Sequence, residues 1–341
     1  MINEREVEIN RGYNLLLEAL GEVGCVLERD DVVEIYCNSN VPNVWIEYVG
    51  RGRTKSDLIL TPEARINIIR IVASFCKTIA DKENPLISAE LPKFGYRFEA
   101  SIPDISVMPS FNIRKPAMVV FSLEDYVNQG VMSESQKKII ELAVRKKLNI
   151  LVGGGTGSGK TTLCNAILKE IAATNDRLVI IEDTRELQCE AEDFEALRTS
   201  DNVNATKLLR TTMRRRPDRI VVGEVRDGAA YDLLKAWNTG HPGGVSTTHA
   251  NNALESLRRL ESLSLEADGA PPVNVIMELI SATVKLVVFI TRAVEIVNGE
   301  SVKTRKIKQV AFCKGIDPVT KTYELIEDEN EILKILEGLV I

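Results

Sequence analysis

The sequence predicts an α/β domain with a largely parallel sheet, preceded by a smaller α+β domain. From residue 133 onward, short apolar segments alternate with helical ones, a pattern typical of parallel α/β sheets. A glycine-rich loop follows one of the apolar segments and precedes a helix, the arrangement found in phosphate-binding folds. The chain has 341 residues, and 44% of them are hydrophobic, which is enough for two hydrophobic cores.

Residues 1–125 are expected to form the α+β domain. Segments 32–37 and 44–49 are rich in apolar and β-branched residues, which is typical of half-buried strands. Thr61 and Pro62 match the N-cap and the first position of a helix, and apolar residues recur behind them at helical spacing. Prolines then punctuate turns and short strands up to about Lys115. We find no catalytic motif in this part of the sequence.

A linker is expected at residues 126–132, followed by the α/β domain at residues 133–341. Ser133 and Gln136 fit a capping box that begins a helix. The strands predicted in this domain are 149–152, 178–181, 219–222, 244–247 and 285–290, with a hairpin over 309–325. The predicted helices are the one after the glycine-rich loop, 205–214, 229–237, 253–263 and 272–282.

The glycine-rich loop, residues 154–161, has the sequence GGTGSGKT. Its backbone N–H groups and the dipole of the following helix make an anion site, so the loop predicts binding of a nucleoside triphosphate. Lys160 would supply charge at the β and γ phosphates, and the Thr161 hydroxyl would coordinate Mg²⁺. The expected nucleotide contacts are Gly155, Thr156, Gly157, Ser158, Gly159, Lys160, Thr161 and Thr162.

Polar residues follow the predicted strands at the edge where open parallel sheets bind ligands. Glu182 and Asp183 follow the second strand, and Glu224 follows the third, with Gly223 where a Walker B aspartate normally stands. We expect Glu224 to position the attacking water, and Thr161, Glu182 and Glu224 to hold Mg²⁺. Asp183 remains an alternative to Glu182. The acid pair could instead satisfy the N–H groups of a helix start.

The chain has two histidines, His241 and His249. His249 follows the fourth strand, so it is placed to sense a γ-phosphate, although a structural hydrogen bond would also explain it. His241 fits equally well in a turn at the end of a helix. Arg210 and Arg214 lie four residues apart on one helical face, and either phosphate contact or a solvated face would account for them.

Four segments resemble the secretion or traffic ATPases: 154–161 their Walker A motif, 181–187 their acidic box, 216–226 their Walker B motif and 238–244 their histidine box. The boxes occur in the order of that family. Segment 233–241 is similar to the TrbB-like conjugative branch of the type II/type IV secretion superfamily. The resemblance extends from about residue 15 to about residue 325.

This resemblance implies ATP hydrolysis by homohexameric rings, in which each chain has an N-terminal domain and a RecA-like domain with the nucleotide between them. It also implies that Arg97 and Arg114 reach the γ-phosphate. The expected catalytic residues are therefore these two arginines together with Lys160, Glu182, Glu224 and His249. Taken without it, Arg97 would be a polar strand residue. Turnover in the family drives substrate transfer or pilus dynamics. The absence of a four-cysteine insert in the sequence favours the conjugative, type IV side over a pilus-retraction or type II secretion ATPase.

The expected location is cytoplasmic, peripheral at the inner membrane, with inner-membrane components of the machine as partners. No apolar run approaches the roughly 18 residues that span a bilayer. The six cysteines include no C-x-x-C pair, so no zinc site is expected. A net charge of −6 and 5% aromatic residues argue against a RecA-like motor that binds nucleic acid directly. The presence of Lys160, Thr161, Glu224 and His249 argues against a scaffold that binds nucleotide without hydrolysis.

Overall fold

A computed structural model of the chain describes residues 4–49, 51–91, 95–116, 120–200, 202–297 and 300–339. The chain divides into two units, Met1–Met118 and Val119–Ile341. This division lies ahead of the linker predicted at 126–132. The difference arises because a short helix at Leu123–Asn128 buries Leu123 and Tyr126 in the core of the second unit.

The first unit contains one antiparallel sheet of six strands, in the order β3-β2-β1-β6-β5-β4. In chain order the strands are β1 (Val32–Cys37), β2 (Asn43–Tyr48), β3 (Gly52–Ile59), β4 (Leu86–Glu90), β5 (Arg97–Ser101) and β6 (Ser110–Arg114). The helices are α1 (Glu4–Leu20), α2 (Glu22–Leu27) and α3 (Pro62–Phe75). Apolar residues of the helices and of the sheet form a single core cluster.

Helix α3 begins as the sequence predicts. The Thr61 side chain accepts a hydrogen bond from the backbone N–H of Ala64, and Pro62 occupies the first helical turn, where its missing N–H costs nothing. Arg65, one turn into the helix, is fully buried. Its guanidinium donates to four backbone carbonyls, those of Asn38, Val41, Leu60 and Pro109. Arg65 thereby ties three loops of the unit to α3.

The second unit contains an eight-stranded sheet in the order β14-β13-β12-β7-β11-β10-β8-β9. The strands from β12 to β9 in that order are parallel, and β13 and β14 are antiparallel to their neighbours. In chain order they are β7 (Asn149–Gly153), β8 (Leu178–Glu182), β9 (Phe194–Arg198), β10 (Arg219–Val222), β11 (Val245–Thr248), β12 (Val284–Val297), β13 (Glu300–Ile316) and β14 (Tyr323–Ile326).

Helices cover both faces of this sheet, as parallel strands require. They are α4 (Leu123–Asn128), α5 (Glu134–Arg145), α6 (Lys160–Ala172), α7 (Ala205–Thr212), α8 (Ala229–Asn238), α9 (Ala253–Leu265), α10 (Val273–Thr283) and α11 (Glu329–Gly338). Successive residues of β7 alternate between two core clusters: Ile150 and Val152 pack on one face, Leu151 on the other. The predicted capping box of Ser133 and Gln136 begins α5.

The five predicted strands of this unit are all present, and the predicted hairpin over 309–325 is part of the pairing of β13 with β14. The sequence did not indicate β9, an edge strand whose Phe194 is half exposed. Nor did it indicate that β12 and β13 continue far beyond the sheet as a long hairpin. Among the described residues, no helix combines the length and apolar character needed to cross a bilayer.

Candidate nucleotide-binding and hydrolysis site

The glycine-rich loop joins the end of β7 to the start of α6 in the middle of the parallel sheet. Gly157 and Gly159 adopt φ angles of +67° and +100°, in the left-handed region that favours glycine. These turns place the loop at the N-terminus of α6, where backbone N–H groups and the helix dipole favour an anion. The predicted contact residues 155–162 therefore share one loop and helix start.

Lys160 lies inside this loop and is largely buried. Its ammonium donates hydrogen bonds to the carbonyls of Gly154 (2.9 Å) and Gly155 (3.1 Å). Burial lowers the pKa of Lys160, and the carboxylate of Glu224 opposes that shift. Carbonyl dipoles are a weaker partner for a buried cation than a phosphate would be. The Lys160 ammonium is thus held next to the loop by carbonyl groups that phosphate oxygens could replace as its hydrogen-bond partners.

Glu224 and His249 meet at the carboxyl ends of the neighbouring strands β10 and β11. His249 Nε2 lies 2.9 Å from Glu224 Oε1, and His249 Nδ1 lies 3.3 Å from Lys160 Nζ. Because the ammonium can only donate, Nδ1 accepts and Nε2–H donates to the carboxylate. The pKa of His249 is lowered, first by burial and then by the charge of Lys160. The lowered pKa favours the neutral imidazole, and the ring connects Lys160 with Glu224.

The second oxygen of Glu224 is held by an arginine. Arg226 donates from Nε and Nη2 to Glu224 Oε2 at 2.8 and 2.6 Å. Its Nη1 also lies 3.6 Å from Asp183 Oδ2, and Asp183 accepts a hydrogen bond from Thr199. Asp183 therefore belongs to the same charged group as Glu224. The sequence patterns did not indicate a role for Arg226, although it stands two residues after Glu224.

Glu182, at the end of β8, is buried and serves a turn rather than a helix start. Its Oε1 accepts hydrogen bonds from the backbone N–H groups of Glu186 and Leu187 at 2.9 and 2.8 Å. A Cβ at Gly223 would lie 3.1 Å from Glu182 Cγ. The missing side chain at position 223 thus makes room for Glu182. The alternative of a helix start is wrong, because Glu186 and Leu187 lie in a loop and not at the beginning of a helix.

Glu186 is the carboxylate that the structure places beside Thr161. Thr161 Oγ1 donates to Glu186 Oε2 at 3.2 Å. A hydroxyl and a carboxylate at the start of a phosphate-loop helix are oxygen ligands that suit Mg²⁺. Among the described residues, no group of three or more His, Cys, Asp or Glu side chains is arranged to hold a metal. In the sequence, the indication that Glu186 belongs to the site is its position in segment 181–187, which resembles an acidic box.

His241 and Arg210 have structural partners. His241 Nδ1 lies 2.8 Å from the carbonyl oxygen of Pro217, which precedes β10 and so lies at the opposite edge of the sheet from Glu224. The turn interpretation of His241 fits this contact. Arg210 Nε lies 3.5 Å from the buried carboxylate of Asp232. Arg214 is exposed just after α7.

Arg97 and Arg114 lie on neighbouring strands of the first unit. They are directly opposite each other in the pairing of β5 with β6. In the same sheet Arg97 is also opposite Glu90, and Arg114 is opposite Glu34. The fold of this unit therefore brings the two predicted arginines side by side.

A protein-family model described as "Type II/IV secretion system protein" matches residues 56–329. The chain belongs to the type II/IV secretion system protein family. It is 46% identical over 320 residues to the conjugal transfer protein TrbB of Rhizobium radiobacter, covering 93% of this chain and 96% of the relative. It is 31% identical to the type IV secretion system protein VirB11 of Bartonella quintana, covering 76% of this chain and 84% of that protein.

Among solved structures, the pilus retraction motor PilT with bound ADP is similar, with a TM-score of 0.61 at 20% identity. The match covers 94% of this chain and 88% of that one. This likeness concerns the fold, and together with the parallel sheet it confirms the predicted class: a RecA-like α/β domain preceded by a smaller α+β domain. Membership of the secretion family confirms the resemblance seen in the sequence.

Proposed function

We propose that this secretion-family chain is a hexameric ATP-hydrolysing motor that powers a conjugative or type IV secretion apparatus. The observation that carries the proposal is the contact of Lys160, His249 and Glu224 at the mouth of the phosphate loop. A buried cation, a neutral imidazole and a carboxylate on the phosphate-binding edge of a parallel sheet suit phosphoryl transfer to water. The similarity to TrbB over nearly the whole chain supports the conjugative assignment.

In the proposed reaction, ATP and water give ADP and phosphate. Lys160 leaves the loop carbonyls and neutralises the β and γ phosphates. Glu224 orients the water whose oxygen bonds to the γ phosphorus as the bond to the bridging oxygen breaks. His249 responds to the γ-phosphate through its contacts with Lys160 and Glu224.

Thr161 would hold Mg²⁺ together with nearby carboxylates, and the ion would supply positive charge that neutralises the phosphates. The predicted carboxylate ligands are Glu182 and Glu224. Because Glu182 carries the turn and Glu186 contacts Thr161, we add Glu186 to the candidate ligands and give Glu182 the role of positioning it.

We also propose three features of domain organisation, catalysis and assembly. These are a functional division into an N-terminal domain (1–125), a linker (126–132) and an ATPase domain (133–341), the supply of Arg97 and Arg114 to the γ-phosphate, and assembly of the ring at the cytoplasmic face of the inner membrane.

The experiment is phosphate release from ATP by the purified full chain and by Lys160→Ala. The matched control is Lys169→Ala, since Lys169 lies on the same helix but is exposed. We expect turnover to be lost in Lys160→Ala and kept in Lys169→Ala, with unchanged unfolding transitions in both. Full turnover in Lys160→Ala would contradict the proposal. Stimulation of turnover by single-stranded DNA would favour a nucleic-acid motor, and mass measurement with and without nucleotide tests the ring.

A further inference from the structure

The hairpin of β12 and β13 passes directly over the glycine-rich loop. Strand β12 pairs in parallel with β7 as far as Phe289 opposite Gly153, the residue before the loop. The next residues of β12 continue past that point. A Cβ at Gly154 would lie only 2.4 Å from the carbonyl oxygen of Ile290, so the hairpin touches the loop at its first glycine.

Two arginines extend from this hairpin onto the loop. Arg292 on β12 and Arg305 on β13 are directly opposite each other in the antiparallel register. Arg292 Nε donates to the carbonyl of Gly157 at 3.1 Å. A Cβ at Gly157 would lie 2.0 Å from Arg292 Nη2, and one at Gly159 would lie 2.9 Å from Arg305 Cδ. Both side chains therefore lie against the loop.

The charges of this arrangement are unbalanced. Like charges directly opposite on paired strands destabilise a sheet. Among the side chains that the structure describes, no carboxylate forms an ion pair with Arg292 or Arg305. The buried Lys160 adds a third cation, and it bonds to the carbonyls of the same loop. Three cations thus surround a loop whose N–H groups already favour an anion. A bound anion would therefore neutralise the positive charge of this region.

We propose that Arg292 and Arg305 form a second cationic arm of the nucleotide site, which binds the phosphates of a nucleoside di- or triphosphate from the hairpin side. This rests on the proposed binding of nucleotide by the loop, but not on hydrolysis or on ring assembly. Guanidinium groups bind phosphate oxygens by charge-assisted, often bidentate hydrogen bonds. Both side chains are exposed, so they can turn from the loop to a ligand without unpacking a core.

A purely structural role is the competing explanation for Arg292, since it donates to the Gly157 carbonyl. Arg305 separates the two explanations. Among the described residues, Arg305 donates no hydrogen bond to the loop. The substitution Arg305→Gln therefore removes a positive charge without removing a hydrogen bond that holds the loop. Lys306 is the matched control, because it is the neighbouring residue, is exposed, and is paired with Thr291 on the other face of the hairpin.

The experiment measures the affinities of the full chain and of Arg292→Gln, Arg305→Gln, the double variant and Lys306→Gln for ADP and for adenosine, at two salt concentrations. We expect about fivefold weaker ADP binding for each single arginine variant and at least about tenfold for the double variant. Adenosine binding and the Lys306→Gln variant should be unaffected. The salt dependence of ADP binding should be shallower without the arginines.

Three other outcomes of these binding measurements would contradict the proposed role of Arg292 and Arg305. ADP binding by the double variant at wild-type affinity would overturn the hairpin arm while leaving the nucleotide site in place. Equal losses for ADP and adenosine, together with a lower unfolding free energy, would also overturn it, since they would show that the arginines only hold the loop. If the wild-type chain binds no ADP, the proposed function fails together with the arm.

Discussion

His249 and Glu224 lie 2.9 Å apart, Nε2 to Oε1, at the ends of two adjacent parallel strands. The same imidazole faces Lys160 through its other nitrogen. In the proposed reaction, phosphates would draw Lys160 away from the loop carbonyls, and His249 would lose the cation on one side and keep the carboxylate on the other. The two contacts of His249 would therefore link the γ-phosphate to Glu224, the residue that we propose orients the attacking water.

The lowered pKa of His249 predicts how stability changes with pH. In the folded state the pKa lies below the ordinary value near 6.5, because burial and Lys160 disfavour the protonated ring. Between the two pKa values the unfolded chain binds more protons, so the free energy of unfolding falls as the pH decreases through that range. Urea unfolding at several pH values should show a smaller decrease for His249→Gln than for the wild type.

Glutamine keeps a donor for Glu224 but cannot titrate, which makes this variant a matched control for the hydrogen bond. The carboxylates of the chain titrate in both proteins, so their effect on the free energy of unfolding cancels in the comparison. An equal decrease in the two proteins would show that His249 titrates normally.

Arg65 predicts a large loss of stability in the first unit. Its buried guanidinium satisfies four backbone carbonyls, and lysine cannot reach them all. We expect Arg65→Lys to lower the free energy of unfolding by about 3 kcal/mol. Arg70→Lys is the control, since Arg70 is exposed on the same helix. Equal stability of the two variants in urea would refute the role given to Arg65.

Arg226 should act on turnover more than on binding. It holds one oxygen of Glu224 with two hydrogen bonds, so its loss would leave the carboxylate less well oriented. We expect Arg226→Gln to lower kcat by about tenfold with KM for ATP changed less, and Arg226→Lys to restore part of the rate. Steady-state kinetics would test this, with Arg258→Gln on α9 as the control. A change confined to KM would remove Arg226 from this role.

Arg97→Ala should slow hydrolysis while changing nucleotide affinity less, since an arginine that reaches the γ-phosphate acts mainly on the transition state. Arg53→Ala is the comparison variant, because Arg53 is an arginine of the same sheet that pairs with Glu47. The measurement is kcat together with the dissociation constant for ADP. A catalytic rate equal to that of Arg53→Ala would exclude Arg97 from the reaction.

The sequence predicted the parallel sheet and its strand-end acids because buried strands and glycine turns leave local patterns. The contact between Glu224 and His249 follows from that topology, since both residues end neighbouring strands. The contact of Glu186 with Thr161 and that of Arg305 with the glycine-rich loop could not be predicted in this way. They depend on the path of a turn and on the register of a long hairpin, and neither leaves a periodic signal in the chain.

Substitution of Glu224 by glutamine tests whether this carboxylate acts on the attacking water. Glutamine preserves size and hydrogen bonding but removes the negative charge that, in the proposed reaction, orients and activates water. Phosphate release and ATP affinity would be measured on the same preparations of wild type and Glu224→Gln. We expect at least about a hundredfold loss of turnover with ATP affinity kept within a few-fold. Turnover at the wild-type rate in Glu224→Gln would contradict the account.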